Sequence, residues 1–166
     1  GTKIVLNHTD EKVKVVGIAG DSGFVSINTT KYLMNREVGF GRKLLQILED
    51  LNISWDHMPT GIDDLSVILR SKELTPIKEQ EILKHLIQDL QVDYAEIEHD
   101  LSIIMIVGEN MKNQIGVTAT ATKALSENNI NIQMISQGSS EVSIMFVVNQ
   151  EQEKQAIKAL YNVFFN

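Results

Sequence analysis

Slid over itself by 77 residues without a gap, the sequence meets itself again at seven of the 33 positions from Met34 to Ser66. Met34 falls on Met111, Gly39 on Gly116, Leu48 on Leu125, Asn52 on Asn129, Ile53 on Ile130, Gly61 on Gly138 and Ser66 on Ser143, while Asp64 falls on Glu141. The matches sit at helix starts, strand starts and turns, where backbone geometry restricts residue type. A 77-residue period is too long for a solenoid repeat and suits a compact βαββαβ unit. The chain is therefore expected to be a duplicated domain. Units this small bury only about 60% of their unfolded surface, so stability calls for packing of the copies together or for a second chain.

Period-two runs of β-branched and aliphatic residues predict strands at about 13–19, 24–30, 53–58, 64–70, 93–99, 101–107, 130–136 and 141–148. Helices are predicted between them. The first, about 39–51, aligns Phe40, Leu44, Ile47, Leu48 and Leu51 on one stripe with Leu45 at its edge. The second, about 76–91, opens with Thr75-Pro76, a capping hydroxyl followed by a proline at the first helical position, and should bury Ile82, Leu83, Leu86, Ile87 and Leu90. The third, about 115–128, is rich in small residues. The fourth, about 151–164, aligns Ile157, Leu160, Tyr161 and Phe164.

Counting strands sets the topology. The second copy runs strand, helix, strand, strand, helix and ends without its last strand, whereas the segment from Val13 to Ile18 is left over at the beginning. The expected arrangement is α+β, with a first unit at 20–99 inserted into a second unit at 100–166 that strand 13–19 completes.

Composition narrows the function. A net charge of −7 argues against a nucleic-acid partner, and a nucleic-acid binder of this topology should carry basic and aromatic residues on its sheet face, which this acidic chain does not display. The absence of cysteine excludes a disulfide framework, zinc ribbons and thiol nucleophiles, and agrees with a reducing compartment. No apolar run approaches a membrane span and no signal-peptide pattern opens the sequence, so the expected location is the cytoplasm. His8, His57, His85 and His99 are scattered, with neither metal-ligand pairing nor a nucleophile beside them. Asp56, His57 and Asp63 have no recognised cation-ligand spacing. The stretch Gly17–Gly23 looks superficially like a phosphate loop, but it lacks the lysine and the following helix and is expected to connect two strands. No catalytic residue, metal site or cofactor is assigned.

The candidate chemistry is binding. Gly39-Phe40-Gly41 in one copy and Gly116 in the other stand where a loop enters a helix, and free N–H groups there suit a carboxylate. A plain turn is the other reading, and repetition favours a site. Ser54, Trp55 and Asp56 lie on the following strand, and Thr60, Asp63 and Asp64 in the turn after it, where carboxylates could receive an ammonium. A zwitterion fits that combination. Alternatively, Asp63 and Asp64 are solvated turn residues and Trp55 belongs to the core. In the second copy Gln133 stands in place of Asp56, one charge fewer.

The runs 34–42 (MNREVGFGR), 52–56 (NISWD) and 136–144 (SQGSSEVSI) resemble the C-terminal regulatory region of bacterial aspartokinases, a tandem of ferredoxin-like ACT domains, along essentially the whole chain. The resemblance implies a parent enzyme that phosphorylates aspartate with ATP at the head of the pathway to lysine, threonine and methionine. ATP and magnesium would belong to a kinase domain that these residues do not include. It further implies that this region takes an end-product amino acid at the interface of a homodimer and inhibits the enzyme. By position, Met34, Gly39, Phe40 and Gly41 are similar to the family's effector loop and Ser54, Trp55 and Asp56 to the strand facing it. Thr60 and the Asp63-Asp64 pair match the closing turn only approximately, and Gly41-Arg42 departs from the usual aliphatic and small pair. Lysine is the expected effector of the first unit, threonine the alternative, and a dimerisation module without a ligand a third reading.

Overall fold

A computed structural model describes residues 15–165. The elements in chain order are β1 (Gly17–Thr30), α1 (Phe40–Asp50), β2 (Asp64–Arg70), α2 (Pro76–Gln88), β3 (Tyr94–Val107), α3 (Val117–Glu127), β4 (Met134–Gln137), β5 (Ser143–Asn149) and α4 (Glu153–Phe165). Residues Gly23–Leu101 form one compact unit, and the described residues before and after them form another.

In the first unit the strand order is β2-β1-β3. β2 lies antiparallel to β1, with Phe24 opposite Arg70 and Thr30 opposite Asp64. Alternate residues Leu65, Val67 and Leu69 of β2, with Val25 and Ile27 of β1, form one apolar face. Against it pack Phe40, Leu44, Ile47 and Leu48 of α1 and Ile82 and Leu86 of α2, all nearly inaccessible. The second unit has the order β1-β3-β5-β4. Its core joins Ile104, Ile106, Ile144, Phe146 and Val148 to Val117, Ala121 and Leu125 of α3 and Ala156, Ala159 and Leu160 of α4.

The duplication reaches individual hydrogen bonds. α1 ends with Asn52 at φ 52°, its N–H on the Glu49 carbonyl and the Ile53 N–H on the Leu48 carbonyl. α3 ends with Asn129 at φ 55°, its N–H on Ser126 and the Ile130 N–H on Leu125. This paired bond pattern is the Schellman ending, which satisfies two otherwise orphaned helix carbonyls.

Several expectations are corrected. The segments 13–19 and 24–30 do not form separate strands: the described part is one strand, β1, and Gly17–Gly23 is strand rather than a connection. Positions 13 and 14 lie outside the described residues, as does His8. β3 likewise runs unbroken from Tyr94 to Val107, joining the expected strands 93–99 and 101–107 into one, with Asp100 in the left-handed region at φ 57° and Gly23 of β1 at φ 82°. A positive φ inside a strand re-aims the backbone without ending the ladder.

No strand forms at 53–58. The Asp56 and His57 amides both donate to the Ile68 carbonyl, at 2.8 and 3.3 Å, so two residues oppose one, as in a bulge, and Pro59 then offers no N–H. Only isolated bridges, His57 to Ile68 and Thr60 to Leu65, attach this edge to β2. In the second unit Met134 faces Val147 and Gln137 faces Ile144 in a regular ladder. Subtracting 77 from the first member of each pair and 79 from the second gives the bridges of the first unit. The second hairpin therefore holds two extra turn residues, and Ser66 and Asp64 correspond in space to Met145 and Ser143 rather than to Ser143 and Glu141.

On α2 the buried line is Ile82 and Leu86, continued beyond the helix by Leu90, while Leu83 is half-buried and Ile87 exposed. On α4 the core face is Ala156, Ala159 and Leu160. Tyr161 lies outside it, stacked on Phe165 with ring centroids 5.1 Å apart.

Candidate functional site

The two expected helix starts share one construction. Gly39 caps α1 at φ 80° and Gly116 caps α3 at φ 89°, and neither helix has a side-chain cap. By contrast α2 is capped by the Thr75 hydroxyl, which accepts from the Lys78 N–H at 3.4 Å. A left-handed residue at this position suits glycine, and an uncapped first turn leaves N–H groups directed outwards with the positive end of the helix dipole. At Gly41 and at Gly116 an added Cβ would meet nothing within 4 Å, so both helix starts are open to an approaching molecule. In the second unit the helix start faces a cleft of about 590 Å³, lined by Met111, Gln114, Gly116 and Val117 on one side and Gln137 to Ser139 and Glu141 on the other. Glu141 lies at φ 59° and accepts the Asn113 N–H at 2.8 Å.

In the first unit, Met34 begins a short 3-10 turn and is buried beside Phe40, which anchors the loop to the core. The Lys31 N–H donates to the Asp63 carbonyl at 2.8 Å, tying the start of the loop to the turn that carries Thr60, Asp63 and Asp64. Asp63 Oδ1 is enclosed and has no hydrogen-bond partner among the described residues, an arrangement that costs free energy unless something reaches it. Asp64 is exposed at the start of β2, and Thr60 is exposed on the edge bridge.

Ser54, Trp55 and Asp56 occupy the edge segment after α1. Ser54 sits just past the C-terminal end of that helix, its N–H and hydroxyl both on the Glu73 carboxylate at 2.9 to 3.0 Å. These bonds hold the Glu73 carboxyl below its ordinary range. Trp55 is 45% exposed, which removes it from the core. Asp56 is exposed, with Arg70 Nε 4.0 Å from its Oδ2, while the Arg70 guanidinium lies over the Phe24 ring at 4.0 Å. Because an 11-residue helix rises about 16 Å, Ser54 and Gly39 are at opposite ends of α1 and are not brought together within one copy. Gln133, the counterpart of Asp56, donates its N–H to the Val147 carbonyl at 2.9 Å.

Sequence reasoning missed the charges that organise this loop. Glu37 Oε2 lies 2.6 Å from Lys31 Nζ and Glu37 Oε1 2.7 Å from Lys43 Nζ. The two ammonium groups hold the Glu37 carboxyl below its ordinary value. The i, i+6 spacing of Lys31, Glu37 and Lys43 aligns on no helix face, and the segment that joins them is a loop rather than a strand, so only the folded loop reveals the cluster. No group of side chains suited to a metal ion occurs among the described residues, and no described helix is long and apolar enough to cross a membrane.

A model of the ACT domain matches residues 104–164. Aspartokinase 3 of Bacillus subtilis (strain 168) is 50% identical over 165 residues, covering 99% of this chain and 36% of that protein. The crystal structure of Clostridium acetobutylicum aspartate kinase superposes with a TM-score of 0.86 at 35% identity, over 94% of this chain and 36% of that one. The regulatory subunit of aspartate kinase from Thermus flavus, at 21% identity a likeness of fold, gives a TM-score of 0.78 over 91% of this chain and 99% of that chain. The chain thus spans about a third of the length of the full-length aspartokinases it matches.

Proposed function

Because this chain belongs to the tandem ACT regulatory regions of aspartokinases, we propose that it binds lysine in its first unit and so lets an end product inhibit the phosphorylation of aspartate by ATP in a larger enzyme. The observation that carries the reading is the pair of repeat-equivalent helices that begin on left-handed glycines with no side-chain cap. Their first-turn amides suit the α-carboxylate of an amino acid. Lysine's ammonium groups find counter-charges in Asp63, whose enclosed oxygen has no partner among the described residues, and in Asp56 and Asp64.

A homodimer completes this site. Gly39 and Ser54 stand at opposite ends of α1, and the edge segment 54–60 is attached to its sheet on one side only. A second copy laid along that edge would bring its own loop to the first copy's Trp55 and Asp56 and exclude water from the ligand. Threonine is the second reading, favoured by Arg70, whose positive charge near Asp56 weakens that carboxylate as a partner for a second ammonium. The reading places the protein in the cytoplasm, where the pathway's amino acids are free.

Calorimetric titration of the chain with lysine, threonine and methionine tests the proposal. Binding of lysine at one site per copy is expected, and at about a hundred times its Kd the ligand should stabilise the fold by about 2.7 kcal/mol. No heat and no melting shift with any of the three would leave a dimerisation module without a ligand.

A further inference from the structure

The first unit's loop is tied down by one ammonium group. Lys31 Nζ lies against the Glu37 carboxylate, donates to the Leu90 carbonyl at 2.5 Å beyond the end of α2, and sits 5.7 Å from the centre of the Phe40 ring. Glu37 also receives Lys43 from the first turn of α1, so its two oxygens link the strand before the loop to the helix after it. The Lys31 main chain is engaged as well: its N–H reaches the Asp63 carbonyl and its carbonyl accepts the Met34 N–H. One residue thus contacts the loop, the acidic turn and the end of α2.

The second unit repeats the backbone of this arrangement and none of its charges. Gly108 occupies the position of Lys31, with its N–H on the Val142 carbonyl and its carbonyl accepting from Met111. By the same offset Gln114 replaces Glu37, Val117 replaces Phe40 and Thr120 replaces Lys43. The backbone turn needs no lysine, so the charged triad does something other than form the turn.

We infer that Lys31 is a positioning residue of the first unit's ligand loop: by holding Glu37 and the Leu90 carbonyl together it keeps residues 34–39 in the conformation that presents the Gly39 and Gly41 amides. This rests on the proposed amino-acid site. A loop ordered before binding does not have to be ordered by the ligand, and affinity is higher by that difference. The second unit lacks the triad, and its loop is held instead by the Glu141 carboxylate on the Asn113 N–H. The triad also makes the first loop selective. Glu37 neutralises much of the charge of both lysines, so the ligand carboxylate is received by amides rather than by a bare cation that would take any anion.

The test uses the whole chain, as wild type, Lys31→Met, Lys31→Arg, Glu37→Gln and the double variant Lys31→Met with Glu37→Gln. Each is titrated with lysine and with threonine, and hydrogen exchange of the 34–39 amides is followed without ligand. Lys31→Met and Glu37→Gln should each weaken binding about tenfold and speed exchange at 34–39 but not at 111–116. The double variant should be no weaker than either single one, because both remove the same link. Lys31→Arg, which can still reach a carboxylate and a carbonyl, should recover most of the affinity. Wild-type affinity in Lys31→Met, multiplied losses in the double variant, or no recovery with arginine would each overturn the inference. Should Lys31→Met not fold, Glu37→Gln decides alone, since it leaves the bond to Leu90 in place. A wild-type chain that binds neither amino acid removes the underlying site and the inference with it, an outcome distinct from a wild type that binds and a Lys31→Met variant that binds equally.

Discussion

Ser54 gives Glu73 both of its donors: the backbone N–H lies 2.9 Å from Oε2, and the hydroxyl lies 3.0 and 2.9 Å from the two carboxylate oxygens. The pair joins the segment after α1 to the short turn before α2, next to the lysines Lys72 and Lys78. Ser54 is therefore a structural residue in one copy, and its hydroxyl has no reach to the glycine loop. The Glu73 carboxyl lies below its ordinary value of 4.5 because the Ser54 backbone and side chain both bond to its charged form. A carboxylate whose folded pKa is depressed contributes stability that is present above the unfolded value and lost as pH falls through the folded one. Below about pH 4.5, then, acid melting of the wild type should include a component that Glu73→Ala lacks. At neutral pH the variant should melt a few degrees lower, and equal acid profiles would count against this role.

The two Schellman endings make a paired prediction. Asn52 and Asn129 hold φ near +55°, a region that alanine enters at a cost of about 1 kcal/mol and glycine enters freely. Asn52→Ala and Asn129→Ala should each lower stability by about 1 kcal/mol in denaturant titration, and the glycine variants should match or exceed the wild type. A difference between the two sites would show that one ending carries a further contact.

These asparagines also show why the fold was legible in the sequence. They are among the identities at offset 77, and residues held by backbone geometry repeat when a unit is duplicated. The helical stripes were legible for the same kind of reason: Leu44, Ile47 and Leu48 follow the helical period and are buried. What escaped depended on pairing across space. The bulge at Asp56 and His57 leaves an apolar alternation intact while removing the ladder that alternation normally signals. The two-residue insertion in the second hairpin hid behind chance identity at Ser66 and Ser143. Lys31, Glu37 and Lys43 come together only when the loop closes on them.

At Gly39 the backbone and the ligand make separable demands. With φ at 80°, any side chain costs about 1 kcal/mol, yet an added Cβ would come no closer than 4.0 Å to Arg42 Nε. Gly39→Ala should therefore fold with slightly lower stability and retain part of the effector affinity. Gly39→Asp should fold equally well by circular dichroism and bind no amino acid, because its carboxylate meets the ligand's own. Equal binding by the two variants would move the carboxylate site away from this loop.

Asp63 offers the sharpest separation of lysine from threonine. Its Oδ1 is enclosed with no hydrogen-bond partner among the described residues, whereas Asp64 is exposed and Asp56 already has Arg70 beside it. A carboxylate oxygen kept from water without a donor is strained towards any cation that can reach it. If lysine's ammonium supplies that donor, Asp63→Asn replaces a charge-assisted contact by a neutral one and should weaken lysine binding at least tenfold, about 1.4 kcal/mol. Threonine carries no second ammonium, and its affinity should change little. In the absence of ligand the same variant should be as stable as the wild type or more so, since an enclosed charge is relieved. Titration of Asp63→Asn with both amino acids reads the first pair of outcomes and thermal melting reads the second. Equal losses for lysine and threonine would make Asp63 a support for the turn that Lys31 holds and would return the ammonium to Asp56.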